Sequence, residues 1–143
     1  MKFIDEKCSY SPETKITTIT LADKHGTYIG EAKLHPNDTY NEIIGGNIAA
    51  NRAYRNKLKE EKREIRIKLN TLKSFRIEYY NYIKAHPSFI SSTDNTVIFN
   101  RLDIAIKRYE KALKMLTNDI EKNKIQEKKN AELRKKIRAK MNK

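Results

Sequence analysis

The sequence predicts an α+β protein: a small N-terminal β-hairpin or sheet followed by a long antiparallel helical hairpin with coiled-coil-like packing. Three observations carry this. Lys15–Leu21 is rich in β-branched residues in partial alternation and runs into a Gly-containing turn. Leu58, Ile65, Leu72 and Tyr79 recur every seven residues, with Leu69 and Ile83 at companion positions that Lys62 and Arg76 interrupt. A second apolar seam, Leu102, Ile106, Tyr109, Leu113, Leu116 and Ile120, follows the connector SFISSTDNTVIF. Two seams joined by so short a connector predict a chain that returns beside itself. The corresponding boundaries are 1–47 for the β-hairpin and junction, 48–121 for the helical hairpin and 122–143 for a basic helical extension.

In the hairpin, KITTITL leads to DKHG and then TYIGEAKL, with Gly26 expected to supply a positive φ at the turn. Ile16, Thr18 and Thr20 share one face and Thr17, Ile19 and Leu21 the other, so the pattern marks neither face as solvent. A lone hairpin is marginal in water, so it must lie on a helix or join strands of another subunit. After His35-Pro36, the residues Asn37, Asp38 and Thr39 offer helix-capping groups. Gly45-Gly46 costs helix propensity but permits close backbone approach. A helix is then expected from about Ile48 to Lys84, ending at Ala85-His86-Pro87. Beyond Ile120 the second seam's register gives Asn123, Glu127, Asn130, Arg134 and Ile137. The apolar stripe fades there, leaving three readings: a solvated helix, an arm ordered by a partner, or an extension paired with the start of the first helix.

The 143 residues carry 31 Lys and Arg against 18 Asp and Glu, a net charge of +13. The first fifty residues hold five basic and seven acidic side chains, so the whole excess belongs to the helical region. The last 22 hold ten basic and two acidic ones. Such a field favours a polyanion or an acidic protein face. Cys8, the single cysteine, excludes an internal disulfide and a thiolate metal cluster. MKFIDEKCSYS lacks the apolar run of a signal peptide, and no window reads as a membrane span. The expectation is therefore a protein of the cytoplasm without membrane contact.

No catalytic constellation is legible. There is no Ser/His/Asp, Cys/His or paired-carboxylate arrangement, and His25, His35 and His86 fall at turns without metal-ligand spacing. The expected protein is noncatalytic, with no metal and no cofactor. Candidate nucleic-acid or effector contacts are Arg52, Arg55, Lys59, Lys62, Arg63 and Arg66 on the first helix, and Lys128, Lys129, Arg134 and Lys135 in the basic extension. Glu60, Glu61 and Glu64 mix negative charge into the first row and permit ordinary intrahelical pairs. Aromatic residues around the helical turn either pack its closed end or stack a base. Arg52, Phe89, Phe99, Asn100 and Arg101 are the candidates for a small ligand.

The stretch GEAKLHPNDTYNEIIGGNIAANRA, through Gly30, Ala32, Pro36, Asp38, Gly45, Ile48-Ala49 and Arg52-Ala53, resembles a segment of small proteins of bacteriophages and prophages of Gram-positive bacteria. It covers about a sixth of the chain. Small phage proteins of this kind include anti-CRISPR inhibitors and Thoeris anti-defence proteins that bind cyclic nucleotide-derived signals. The resemblance implies an anti-defence protein acting in the host bacterial cytoplasm, and the small compact part beside long helices predicts a homo-oligomer. It would engage a CRISPR effector or its RNA or DNA through basic helices, or sequester a cyclic nucleotide signal in an inter-subunit pocket. A general nucleic-acid-associated protein is the remaining reading.

Overall fold

The N-terminal part forms an antiparallel sheet of three strands in the order β1-β2-β3, one more than the hairpin alone: β1 (Asp5–Ser11), β2 (Ile16–Asp23) and β3 (Gly26–Lys33). Two long helices follow, α1 (Glu42–Ala85) and α2 (Ser92–Met141). This computed structural model describes residues 5–34, 42–87 and 92–141. His35-Pro36 and the capping candidates Asn37, Asp38 and Thr39 lie outside the described residues. The fold is α+β, with α1 and α2 packed on each other in antiparallel fashion.

The β2–β3 turn uses different chemistry from that expected. Lys24 and His25 turn the chain between β2 and β3, with Asp23 opposite Gly26. No described glycine has a positive φ, Gly26 included. Instead the Asp23 carboxylate accepts hydrogen bonds from the His25 and Gly26 amides, at 2.8 and 3.1 Å, and holds the turn from its side chain. The left-handed residue is Lys15, at φ 58°, which closes the loop between β1 and β2 while its amide donates to Ser11 O at 2.7 Å.

α1 starts at Glu42, six residues before Ile48, so Gly45 and Gly46 are helical rather than a junction ahead of the helix. α2 starts at Ser92 and takes up most of the expected connector, with Asp94 in its first turn where the helix dipole favours an acid. α1 ends as expected: the His86 amide reaches back to Tyr82 O at 3.0 Å just before Pro87.

The described residues group into two units, one within Met1–Lys59 and Asp119–Lys143, the other within Glu60–Asn118. The first unit lays α1 across one face of the sheet. Thr17, Ile19 and Leu21 prove to be the helix-facing set, and Ala32, Ile48 and Ala49 form the centre of the core, with Ile19 and Ile137 packed against it. Small residues set the distance. A Cβ added to Gly30 would stand 2.0 Å from Ala49 O and 2.3 Å from the Ala53 amide nitrogen, so β3 touches the α1 backbone where only glycine fits. A Cβ on Gly45 would stand 2.9 Å from Thr17 Oγ1, while Gly46 meets nothing within 4 Å. The close approach expected of the glycine pair thus belongs to Gly45 alone, and the tighter one to Gly30.

The end of α2 completes the same unit. Asn123 is buried and donates from Nδ2 to Asn51 O at 3.0 Å, and Ile137 reaches the core cluster. Of the three readings for this segment, the structure selects pairing with the start of α1. The second unit is an antiparallel helix pair in the expected register. Leu69 is buried, and Ile65, Leu72, Tyr79 and Ile83 of α1 are half-buried, as are Leu102, Ile106, Tyr109, Leu113 and Leu116 of α2. Arg76 interrupts the α1 seam without an unpaired charge, because its Nε meets Asp103 Oδ1 at 2.7 Å. Lys73 reaches Glu110 at 3.5 Å.

Candidate functional site

The site begins with Glu127. It continues the α2 seam where apolar residues run out, at an inward position that costs free energy unless its charge is met. Arg52 and Arg55 of α1, three residues apart and so on one face of the helix, meet it. Arg52 Nε lies 2.6 Å from Glu127 Oε1, and Arg55 Nη1 binds Glu127 Oε2. Burial raises the pKa of Glu127, but the hydrogen bonds from Arg52 and Arg55 outweigh it, and the carboxyl titrates below its ordinary value. The one acid is matched by two guanidinium groups, so the cluster retains one positive charge.

Around this cluster α1 and α2 form a shallow groove of about 470 Å³ lined by Arg55, Lys59, Lys124, Glu127, Lys128 and Ala131. Lys59, Lys124 and Lys128 are exposed, and Lys124 Nζ lies 3.5 Å from Glu121 Oε1 on its own helix. Lys135, seven residues beyond Lys128, lies on the same face of α2 and is exposed. No aromatic side chain lines the groove. Its chemistry is that of cations on rigid helices at an open surface, suited to a row of phosphates and without a surface for stacking bases.

The expected contact residues divide by location. Arg52, Arg55, Lys59, Lys128, Lys129, Arg134 and Lys135 are in the unit that contains the sheet. Lys128 and Lys59 line the groove, and Lys129 is exposed one residue around the helix. Arg134 is half-buried and donates from Nη2 to Lys33 O at 3.0 Å. Lys62, Arg63 and Arg66 are in the other unit, where Arg63 is bound to Glu60 at 2.6 Å and Arg66 is exposed. Lys124 joins the expected residues in the groove, and its i, i+4 spacing from Lys128 is the sequence signal that places both on one face.

Lys57 behaves differently from the charged ridge around it. It is 1% exposed, and its Nζ lies 2.8 Å from Asp23 Oδ2. The carboxylate that holds the β2–β3 turn thereby also holds α1 to the sheet. The hydrogen bond from Lys57, joined by the His25 and Gly26 amides, lowers the Asp23 pKa against the opposing effect of burial.

Among the small-ligand candidates, Phe89 lies outside the described residues. Phe99 is half-buried within its own unit, edge-on to Tyr79 at 5.3 Å and to Tyr80 at 6.2 Å, with the Arg76 guanidinium 5.2 Å from its ring centre. Tyr79 Oη donates to Asn95 Oδ1 at 3.0 Å. The aromatic residues thus pack one another beside the helix seam. Asn100 and Arg101 are exposed on α2 in that unit, and Arg52 belongs to the other, at Glu127.

Among the described residues no group of three or more His, Cys, Asp or Glu side chains is placed to hold a metal ion. No described helix is long and apolar enough to cross a membrane. Comparison with protein families, with characterised proteins and with solved structures gives no match.

Proposed function

We propose that the protein is a noncatalytic binding protein that engages nucleic acid, or the RNA or DNA held by a host defence effector, through the basic face formed by α1 and α2. The observation that carries this reading is the groove in which Lys59, Lys124 and Lys128 surround a carboxylate already neutralised by Arg52 and Arg55. Phosphate contacts from lysines give affinity without base identity, and the absence of aromatic lining argues for backbone recognition. An anti-defence role follows from the phage resemblance together with this surface: a protein that occupies the phosphate path of an effector inhibits it without bond-making chemistry.

The test is a titration of fluorescent duplex DNA and duplex RNA with the wild-type protein and with Lys59→Glu/Lys124→Glu/Lys128→Glu. Loss of binding on the order of 10- to 100-fold, with an unchanged circular dichroism spectrum, is expected. Equal affinity of the two proteins would remove the groove from the mechanism.

A further inference from the structure

A three-stranded sheet has two edges, and this protein treats them differently. Asp23 and Gly26 flank the two-residue turn, which makes them the closing hydrogen-bonded pair. By alternation from that pair, Thr27, Ile29, Glu31 and Lys33 of β3 turn their backbone groups away from β2. The last three carbonyls are met by side chains: Asn56 Nδ2 donates to Ile29 O at 2.8 Å, Arg52 Nη1 to Glu31 O at 2.6 Å and Arg134 Nη2 to Lys33 O at 3.0 Å. The β3 edge is covered by the helices from Ile29 to Lys33.

The other edge is β1. Its register with β2 pairs Asp5, Lys7, Ser9 and Ser11 with Ala22, Thr20, Thr18 and Ile16, the β2 residues whose backbone groups face β1. The backbone groups of Glu6, Cys8 and Tyr10 therefore point outward, and among the described residues no strand pairs with this edge. Side chains from Asp5 to Ser9 are exposed. A long exposed edge strand with no proline or bulge is a template for another strand.

We propose that β1 pairs antiparallel with β1 of a second copy of this chain, about a two-fold axis at Cys8, to make a continuous six-stranded sheet. Charge and length select both the occupant and the register. The strand itself carries Asp5, Glu6 and Lys7, a net charge of −1, so two copies of it meet with little repulsion between strands. Centring the pair on Cys8 overlaps the whole strand and sets Lys7 opposite Ser9 and Glu6 opposite Tyr10 of the second copy. Shifting the centre to Lys7 sets two lysines opposite each other, and shifting it to Glu6 sets two glutamates opposite, each unfavourable in a cross-strand pair. Shifting it towards Ser9 shortens the ladder.

On the helix side, Glu6 and Cys8 border a groove of about 400 Å³ with Ile19, Leu21, Ala50, Asn51 and Tyr54. A two-fold axis perpendicular to the sheet keeps both copies of α1 on one face, so the two grooves become one trough with β1 and its mate as the floor.

The experiment uses the full chain, nuclease-treated and held in high salt, so that nucleic-acid binding plays no part and the proposed function stands or falls separately. Native mass spectrometry and light scattering under reducing conditions are expected to give a dimer for the wild type and for Cys8→Ser. Cys8→Pro is expected to give a monomer, since its lost amide faces the open edge and not β2. Ser9→Lys, which sets two lysines opposite each other without touching the backbone, provides the same readout should the proline disturb β1, and is expected to weaken the dimer at least tenfold. Under mild oxidation the wild type should form a covalent dimer, because directly paired residues bring their Cα atoms within disulfide range. Lys7→Cys in the Cys8→Ser background should cross-link much less. A monomeric wild type, a Ser9→Lys protein that dimerises as tightly as wild type, or equal cross-linking at positions 7 and 8 would overturn the proposal.

Discussion

Asp23 and Lys57 form an enclosed ion pair, Nζ to Oδ2 at 2.8 Å, with side chains 6% and 2% exposed. It joins the tip of the β2–β3 hairpin to α1. Removing the lysine leaves a carboxylate that still accepts two turn amides but has lost the ammonium beside it, whereas replacing both residues removes the charge and its need together. Lys57→Met is therefore expected to destabilise more than Asp23→Asn/Lys57→Met, read from urea midpoints. The reverse order would show that the pair does not act as a unit.

The same carboxylate and Glu127 are expected to make stability sensitive to acid. Both titrate below the ordinary value in the folded protein, Asp23 chiefly through Lys57, and Glu127 through Arg52 and Arg55 against its burial. A lowered folded pKa gives stability that is present above the unfolded value near 4 and is lost as pH falls through the folded value. The melting temperature should be flat from pH 7 to about pH 5 and fall below about pH 4. Asp23→Asn/Glu127→Gln should flatten that fall, and an equally steep one in the variant would assign acid sensitivity to other groups.

Gly30 marks where β3 and α1 touch. Alanine there drives a methyl group into the Ala49 carbonyl and the Ala53 amide, neither of which is the flexible end of a side chain. Gly30→Ala is expected to cost roughly 3 kcal/mol in chemical denaturation. Gly46→Ala, on the same helix with open space beside it, should be neutral or stabilising by up to about 1 kcal/mol through helix propensity. Equal effects at the two sites would contradict the contact.

Glu127 opposes structure and binding in one residue. Glu127→Gln keeps the shape but retains one acceptor oxygen for two arginine donors, so one hydrogen bond is weakened and the other lost, and it should lower stability by about 1–2 kcal/mol. It also adds one net positive charge beside Lys59, Lys124 and Lys128, and should raise affinity for duplex nucleic acid roughly threefold at low salt. Affinity that falls with stability would mean that the groove's geometry, and not its charge, governs binding.

Much of this architecture is legible in the sequence because a helix seam repeats. The α2 register runs through Ile120 to Asn123, Glu127, Asn130, Arg134 and Ile137, and the structure keeps every one of them buried or half-buried. What the pattern cannot supply is why polar groups face inward. Their partners, Asn51 for Asn123, Arg52 and Arg55 for Glu127 and Lys33 O for Arg134, lie 72 to 101 residues away, and only the fold brings them together. β1 escapes for the opposite reason. DEKCSYS has no apolar alternation because α1 shields β2 and β3 and leaves the first five residues of β1 exposed. Lys57 escapes because a lysine among basic neighbours carries no mark of burial until Asp23 is placed beside it.

The salt dependence of nucleic-acid affinity tests the central claim most directly. For wild type, the logarithm of the association constant should fall linearly with the logarithm of salt concentration, and Lys59→Glu/Lys124→Glu/Lys128→Glu should reduce that slope by about 3, one for each phosphate contact removed. A wild-type affinity that does not change with salt, or a triple variant with the wild-type slope, would contradict binding through this groove.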